Sequence, residues 1–392
     1  MRAAHPGLSS APALSRRGFL RGLGAGATSI LVVGGCGYYA AESGDAYAPW
    51  RYPDPVAAPE VQAVHAAVLA ASPHNTQPWL FAITPERIDV YADLDRSLGA
   101  MDGLHREMYI GLGCALDNLV LTARHLGRRA QVTYLPDPDD PSWAARVELA
   151  PAAPEPQPLH GCIARRHTNR GRYLDRAPVP GLAAALSAQI EPDLVDVVRL
   201  YVLSEPGDMD RVRAGTIRAT EAIIADDQMN QDSHHWYRHS QDELSAHRDG
   251  ITLDASGADT LTRTVGKMVG RPSAAEAGDY WLEATRGRQT TASAYCVLST
   301  PAWEGRGDQL RCGRVYQRMH LWVVSQGLAV QPLNQMLERR DREQALGLGP
   351  AFTDELRALL DGDAGAQMLF RIGVPWDPAK KSPRRPPEWV TL

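Results

Sequence analysis

The sequence predicts an α+β chain made of two tandem halves that pair with each other, and three observations carry that expectation. Residues 112–127 (LGCALDNLVLTARHLG) and 312–327 (CGRVYQRMHLWVVSQG) align without a gap at an offset of 200. Each of them reads as an apolar-faced helix closed by a glycine. A helix–strand pair also occurs twice: a helix at 58–71 before the strand Trp79–Ile83, and a helix at about 181–190 before the strand Val198–Leu203. Finally, the run PAAPEPQP, Pro151–Pro158, is an extended linker between the two copies.

The first helix of the repeat places Leu112, Ala115, Leu116, Leu119, Ala123 and Leu126 at helical spacing, and the second does so with Val315, Met319, Trp322 and Val323. The upstream pairs are offset by only about 120, so the second half carries roughly 80 inserted residues, placed within about 205–290. The expected organisation is therefore a leader over 1–40, a first half over 56–150, a linker over 151–159 and a second half over 160–392.

Ser15–Arg21, SRRGFLR, followed by GLGAGATSILVVGG, has the layout of a twin-arginine export signal and is too short and Gly-rich for a stable span. It predicts export to the periplasm or cell envelope, a route that carries folded, often cofactor-loaded proteins. The run ends at Val33-Gly34-Gly35-Cys36, either a lipoprotein box with a lipid anchor on Cys36 or an ordinary signal with a chance cysteine. The remaining Cys114, Cys162, Cys296 and Cys312 have no CxxC or His-rich ligand spacing, so no structural zinc is expected. Outside the cytoplasm one or two disulfides are permitted, in a pairing that spacing does not select. A net charge of −5, with 22% charged and 44% hydrophobic residues, argues against a nucleic-acid partner and against disorder of the body.

Two motifs bear on chemistry. Ala71–Trp79, ASPHNTQPW, lies between helix and strand, and Pro78 biases Gln77 out of helical geometry. Its Ser72, Asn75 and Gln77 suit the polar edge of a flat heterocycle, or else simply cap a helix end. Arg165–Tyr173, RRHTNRGRY, sets four arginines around Thr168, either an anion cradle of guanidinium forks or a solvated basic face. A third segment, HHWYRH at His234–His239 with His247 beyond, could place two histidines for a metal, but no HExxH-like pattern accompanies it; a lid over the site is the better reading, and no metal is expected.

These segments resemble the nitroreductase family. ASPHNTQPW is similar to its flavin-edge motif, RRHTNRGRY followed by Val179-Pro180 to its phosphate-binding motif, and Leu369–Pro375 with Lys381–Pro386 to its last strand and basic tail. The family's usual form is a homodimer with two FMN sites, each built from both subunits. Here the first half has the turn but no arginine motif, and the second has the arginine motif but SAQIEP, 187–192, in place of the turn. This complementary loss resembles the tandem, Acg-type branch and implies a monomeric pseudo-dimer holding one FMN. By carry-over, Arg166, Thr168 and Arg170 would hold the phosphate, helped by Arg384 or Arg385. Ser72, Asn75 and Gln77 would face the ring, and backbone near Gln331, Pro332 and Leu333 would line its N5 side. The implied activity is reduction of a small unsaturated, nitroaromatic or quinone-like molecule; the other reading is a flavin-sequestering protein without turnover. An exported protein would meet no NAD(P)H pool, so another electron donor is expected.

Overall fold

The computed structural model describes residues 42–53 and 56–392. The twin-arginine segment 15–21 and Cys36 lie outside the described residues.

The first half starts with helix α1 (Pro59–Ala67), begun by a proline at its first position, where a missing N–H costs nothing. Strands β1 (Trp79–Thr84) and β2 (Arg87–Ala92) form a hairpin; then follow helix α2 (Arg106–His125), β3 (Arg128–Tyr134) and β4 (Trp143–Pro151). Helix α2 ends before Gly127, whose φ of +77° reverses the chain into β3. The antiparallel sheet has the order β1-β2-β4-β3.

The second half opens with α3 (Leu182–Ser187) and β5 (Arg199–Leu203). Before the next strand of its sheet come α4 (Pro206–Ala225), α5 (Asp227–His235), β6 (Tyr237–Arg238), α6 (Gln241–His247), β7 (Ile251–Thr252), α7 (Thr260–Met268) and α8 (Ala274–Ala284). Then follow β8 (Ala294–Ser299), α9 (Arg306–Ser325), β9 (Ala329–Pro332), α10 (Gln335–Leu346), α11 (Ala351–Leu359) and β10 (Ala366–Gly373). Its antiparallel order, β5-β8-β10-β9, repeats the first sheet position for position. The chain is thus an intrachain pseudo-dimer of two α+β halves. A second enlargement, α10 and α11 between β9 and β10, stands where the first half has only the short loop between β3 and β4; the sequence reading, built on one insertion, did not anticipate it.

Helices α2 and α9 form the seam, and they meet reciprocally, as a two-fold interface requires. A Cβ on Gly113 would lie 2.1 Å from the carbonyl oxygen of Leu310, and one on Gly313 would lie 2.0 Å from that of Ile110. Under the offset of 200 these are the same contact seen from each side. One turn on, Gln317 Nε2 donates to Asn118 Oδ1 at 2.8 Å, and Arg318 pairs with Asp117 at 3.0 Å, again at exchanged positions. Only glycine lets the two backbones approach this closely.

The core runs through this seam, joining α1, α2 and β1 to α9, β8 and β10. The first sheet leaves one face partly open, as the alternating burial along β3 shows. In the second sheet β8 and β10 are buried at every position, because a second cluster of α4, α10 and α11 covers the other face. The tail after β10 returns to the first half, where Phe81 N donates to Val390 O at 2.7 Å and Leu392 N donates to Phe81 O at 2.8 Å. The four described cysteines are buried free thiols, so the permitted disulfides do not form. No helix of the described residues is long and apolar enough to cross a membrane.

Candidate active site

The segment after α1 is held in unusual backbone. Ser72 is extended, whereas His74, Asn75 and Gln77 have φ of 44°, 59° and 53°. Left-handed geometry at a non-glycine residue costs on the order of 1 kcal/mol or more and needs compensation from its surroundings. The compensation is visible. Buried Asn75 Nδ2 donates to Gly250 O at 3.1 Å and Pro383 O at 2.9 Å. Gln77 Nε2 donates to Arg248 O at 2.9 Å, and its Oε1 accepts from Arg385 N at 2.8 Å. Asn75 and Gln77 thus fasten the insertion and the C-terminal tail to the first half, and neither is among the residues that line the cleft. Ser72 does line it. Gly111 of α2 permits the approach, since a Cβ there would stand 3.1 Å from Pro73 Cδ.

Within Arg165–Tyr173, Arg165 and Arg172 are exposed, while Arg166 is buried and Thr168 and Arg170 line the cleft. Arg166 Nη2 donates to Leu69 O at 3.1 Å, and its Nε and Nη1 are buried without a partner. Arg384, from the tail, donates from Nη1 to Ala70 O at 2.8 Å, leaving its buried Nε unpartnered. Arg170 Nη1 donates to Ala255 O at 3.2 Å. None of the three forms an ion pair among the described residues. Burial lowers the Arg166 pKa to about 10, and burial together with the Arg166 charge lowers that of Arg384 strongly. Burial and Arg170 likewise lower His74 to about 4, so it is neutral at pH 7. A buried cation without a counter-charge is expensive, and an anion brought within reach of these N–H groups would offset that cost.

The contrast is Arg371, equally buried. Its guanidinium donates to Gln331 Oε1, to the carbonyls of Arg288, Thr291 and Gly171, and stacks 3.8 Å over the Tyr173 ring. It is a satisfied structural arginine that shapes the 169–171 loop. Gln331 and Pro332 line the cleft. Leu333 does not: it is fully buried in the second core cluster, its N–H donating to Leu369 O at 2.8 Å. Arg385 sits beyond the cleft, its side chain on Gln77 O, Trp389 O and Asp93.

The cleft has about 1070 Å³ of atom-free space, part of it open to solvent. The first half contributes Ser72, Gly111 and Cys114; the second contributes Thr168, Arg170 and Tyr316. The insertion adds Tyr237, Tyr280 and Trp281. His234 and His239 stack near Tyr237 but do not line the cleft. Among the described residues no group of three or more His, Cys, Asp or Glu is gathered as for a metal ion. The sequence reading missed Glu107 and Glu338, which also line the cleft. Glu338 opens the run ERRDRE and Glu107 lies in the first turn of a helix, and both settings are usual for solvated or dipole-favoured acids.

No family model matches the chain. Two proteins of Mycobacterium tuberculosis strain H37Rv, each named "Putative NAD(P)H nitroreductase", are 28% identical to it. One, Rv3131, aligns over 81% of this chain and 87% of its own length; the other, acg, over 83% and 92%. The chain is nitroreductase-like. A third relative from that strain, Rv3127, is named an uncharacterized protein and is 27% identical over 80% of this chain and 86% of its own. Among solved structures, the FMN-dependent nitroreductase NfnB of Mycobacterium smegmatis in complex with NADPH matches at 17% identity and a TM-score of 0.37, over 59% of this chain and 95% of its own. A nitroreductase with bound FMN from Desulfitobacterium hafniense matches at 16% and 0.36, over 59% and 95%. Both cover far less of this nitroreductase-like chain than the mycobacterial relatives do.

Proposed function

We propose that the chain is an FMN-dependent oxidoreductase of the nitroreductase type, with one flavin in the cleft between its halves. The observation that carries this reading is the set of unpartnered, buried guanidinium N–H groups of Arg166 and Arg384 beside Arg170 and Thr168. Such donors fit a phosphate, which accepts several charge-assisted hydrogen bonds at once. Arg166, Thr168, Arg170 and Arg384 would hold the FMN phosphate, while Ser72, Gln331 and Pro332 line the space for the ring. Bound there, the flavin would supply hydride transfer; the protein's part is to bind it, orient it and limit access. The acceptor would be a small unsaturated, nitroaromatic or quinone-like molecule.

A single site per chain is favoured by what stands at the pseudo-symmetric position. The offsets that relate the halves carry Ala71, Ser72 and Cys114 onto Glu191, Pro192 and Arg314. There Arg314 is ion-paired to Glu191, which also accepts from Arg124 at 2.6 Å and Arg318 at 2.8 Å. An ion-paired network occupies the place where the cleft has open space.

Flavin sequestration without turnover is the second reading, favoured by the insertion over the cleft. Besides the Asn75 and Gln77 bonds, Asp249 pairs with both Arg96 and Arg238. Both guanidinia also lie against the Trp236 ring, at 5.3 and 5.6 Å. The segment is therefore well fastened. We further propose export through the twin-arginine signal to the periplasm or cell envelope, with a lipid anchor at Cys36 as an option, as a monomer without a nucleic-acid partner. The relatives' names include NAD(P)H, whereas export favours another donor. Anaerobic bleaching of the flavin band decides these points. Turnover of a quinone or nitroaromatic with slow bleaching by NADPH is the expected result. Fast bleaching by NADPH would overturn the donor assignment, and a colourless, folded protein unable to take up FMN would overturn the flavin reading.

A further inference from the structure

Glu107 and Glu338 line the cleft and belong to a buried charge cluster. Arg106 donates from Nε to Asp341 at 2.6 Å and from Nη2 to Glu107 at 3.2 Å. Arg340 donates to Asp341 at 2.8 and 3.0 Å. Asp102 accepts the backbone N–H groups of Glu107 at 3.0 Å and Met108 at 2.8 Å. The cluster thus holds four carboxyl groups, on Asp102, Glu107, Glu338 and Asp341, and two guanidinia. Every one of the six is less than a tenth exposed. Other charges on and around α10 have partners of their own: Asp226 pairs with Arg339 and Arg342, Glu355 with Arg218, and Glu343 accepts the Phe352 backbone N–H at 3.1 and 3.2 Å.

Four buried carboxylates against two cations leave two negative charges with no compensation, and proteins resolve such an excess by keeping protons. The hydrogen bonds say where. Both guanidinia serve Asp341 and one serves Glu107, which leaves Asp102 and Glu338 as the two groups without a cationic partner. Glu338 Oε2 has no partner, is buried and belongs to a side chain that lines the cleft. In agreement, burial and then the Glu107 charge push the Glu338 pKa well above the ordinary carboxyl range, whereas Arg106 and Arg340 hold Asp341 below it.

We propose that Glu338 is the proton source of the cleft, a carboxylic acid whose O–H is offered to an oxygen of the bound electron acceptor. The proposal rests on the flavin-dependent reading above. For a quinone Q the balance is Q + H⁻ + H⁺ → QH₂. The hydride carries two electrons and one proton from the reduced isoalloxazine, which is thereby oxidised. The second proton leaves Glu338 as its O–H bond breaks and a new O–H bond forms on the quinone oxygen. Glu338 is left as a carboxylate, which solvent entering the open side of the cleft reprotonates. A neutral acid held in a buried, carboxylate-crowded wall serves this role at neutral pH, where an ordinary glutamate would already have lost its proton.

The test uses the full chain with bound FMN and two variants, Glu338→Gln and Glu338→Asp. Infrared pH-difference spectra at neutral pH should contain a protonated-carboxyl band that Glu338→Gln lacks and that Glu338→Asp shifts. Reoxidation of the reduced protein by menadione should slow on the order of 100-fold or more in Glu338→Gln. In the unsubstituted chain that rate should fall as alkaline pH ionises Glu338, and the variant should lose this dependence. An unchanged carboxyl band in both variants, or menadione reoxidation unchanged in Glu338→Gln at full flavin content, would overturn the proposal. Failure to bind FMN in the unsubstituted chain would instead overturn the flavin reading, so the two failures are separable.

Discussion

The first half is minimal: two hairpin-like strand pairs, two helices and a turn. The second repeats the same sheet order but is enlarged twice, over 206–289 and again with α10 and α11. Both enlargements reach the cleft, one through Tyr237, Tyr280 and Trp281 and the other through Glu338. At the pseudo-symmetric position no enlargement is present and Arg314 and Glu191 close the space. The repeated part of the molecule therefore builds the seam and most of the cleft wall, and the asymmetric additions complete that wall on one side only. A duplicated fold can supply a scaffold twice while equipping one site only.

The largest effect should come from breaking the seam. Gly113→Ala and Gly313→Ala each gain about 1 kcal/mol of helix propensity, yet each places a methyl group about 2 Å from a backbone oxygen. Overpacking of that kind costs about 1–3 kcal/mol or more. The double variant should fail to give soluble, cooperatively melting protein, and each single variant should lower Tm by several degrees. Unchanged melting would mean that the halves do not meet here.

Removal of the phosphate cradle ranks next. Arg166→Ala with Arg170→Ala should cost roughly 1.5–3 kcal/mol per charge-assisted hydrogen bond lost. The protein should purify folded but without the flavin absorption. The matching change at the other position, Arg314→Ala with Glu191→Ala, should leave flavin content as it was. If both pairs lost flavin alike, the asymmetry would not be functional.

The turn gives a smaller effect. Asn75→Ala and Gln77→Ala remove neutral hydrogen bonds worth about 0.5–1.5 kcal/mol each. Hydrogen exchange should rise at 248–250 and 383–385, with little change in bound flavin. Loss of flavin with unchanged exchange would return these residues to the ring.

A further effect, spread over several pH units, is a pH dependence. Burial, reinforced by Glu107, raises the Asp102 pKa from 3.8 to about 8. The folded state therefore holds a proton that the unfolded chain releases near pH 4. The contribution to stability is complete below about pH 4 and is lost as pH rises to about 8. Asp102→Asn should flatten the decline in Tm across that window. A decline of the same slope would place the proton elsewhere.

The repeat was legible because a buried helical seam must keep its apolar spacing and its glycine, and both survive at the offset of 200. The basic motif was legible as chemistry, since guanidinium groups cluster only where something anionic or solvent receives them. The roles of Asn75 and Gln77 were not: an amide that faces a ligand and one that fastens a loop carry the same letters. Glu338 was hidden for a related reason. In ERRDRE it reads as one acid on a charged helix face, and only the packing of α10 against the second sheet turns that face inward. Leu333 lies one residue beyond the cleft wall, just past the end of β9, where its side chain turns into the second core cluster.

The most direct measurement of the central claim is the flavin released per folded chain. The protein, saturated with FMN and freed of excess, is denatured, and the released flavin is counted against polypeptide. The complementary halves and the closed Arg314–Glu191 position predict close to one FMN per chain. Two per chain would show that both pseudo-symmetric positions bind, and the asymmetry described for the cleft would then have no bearing on its occupancy.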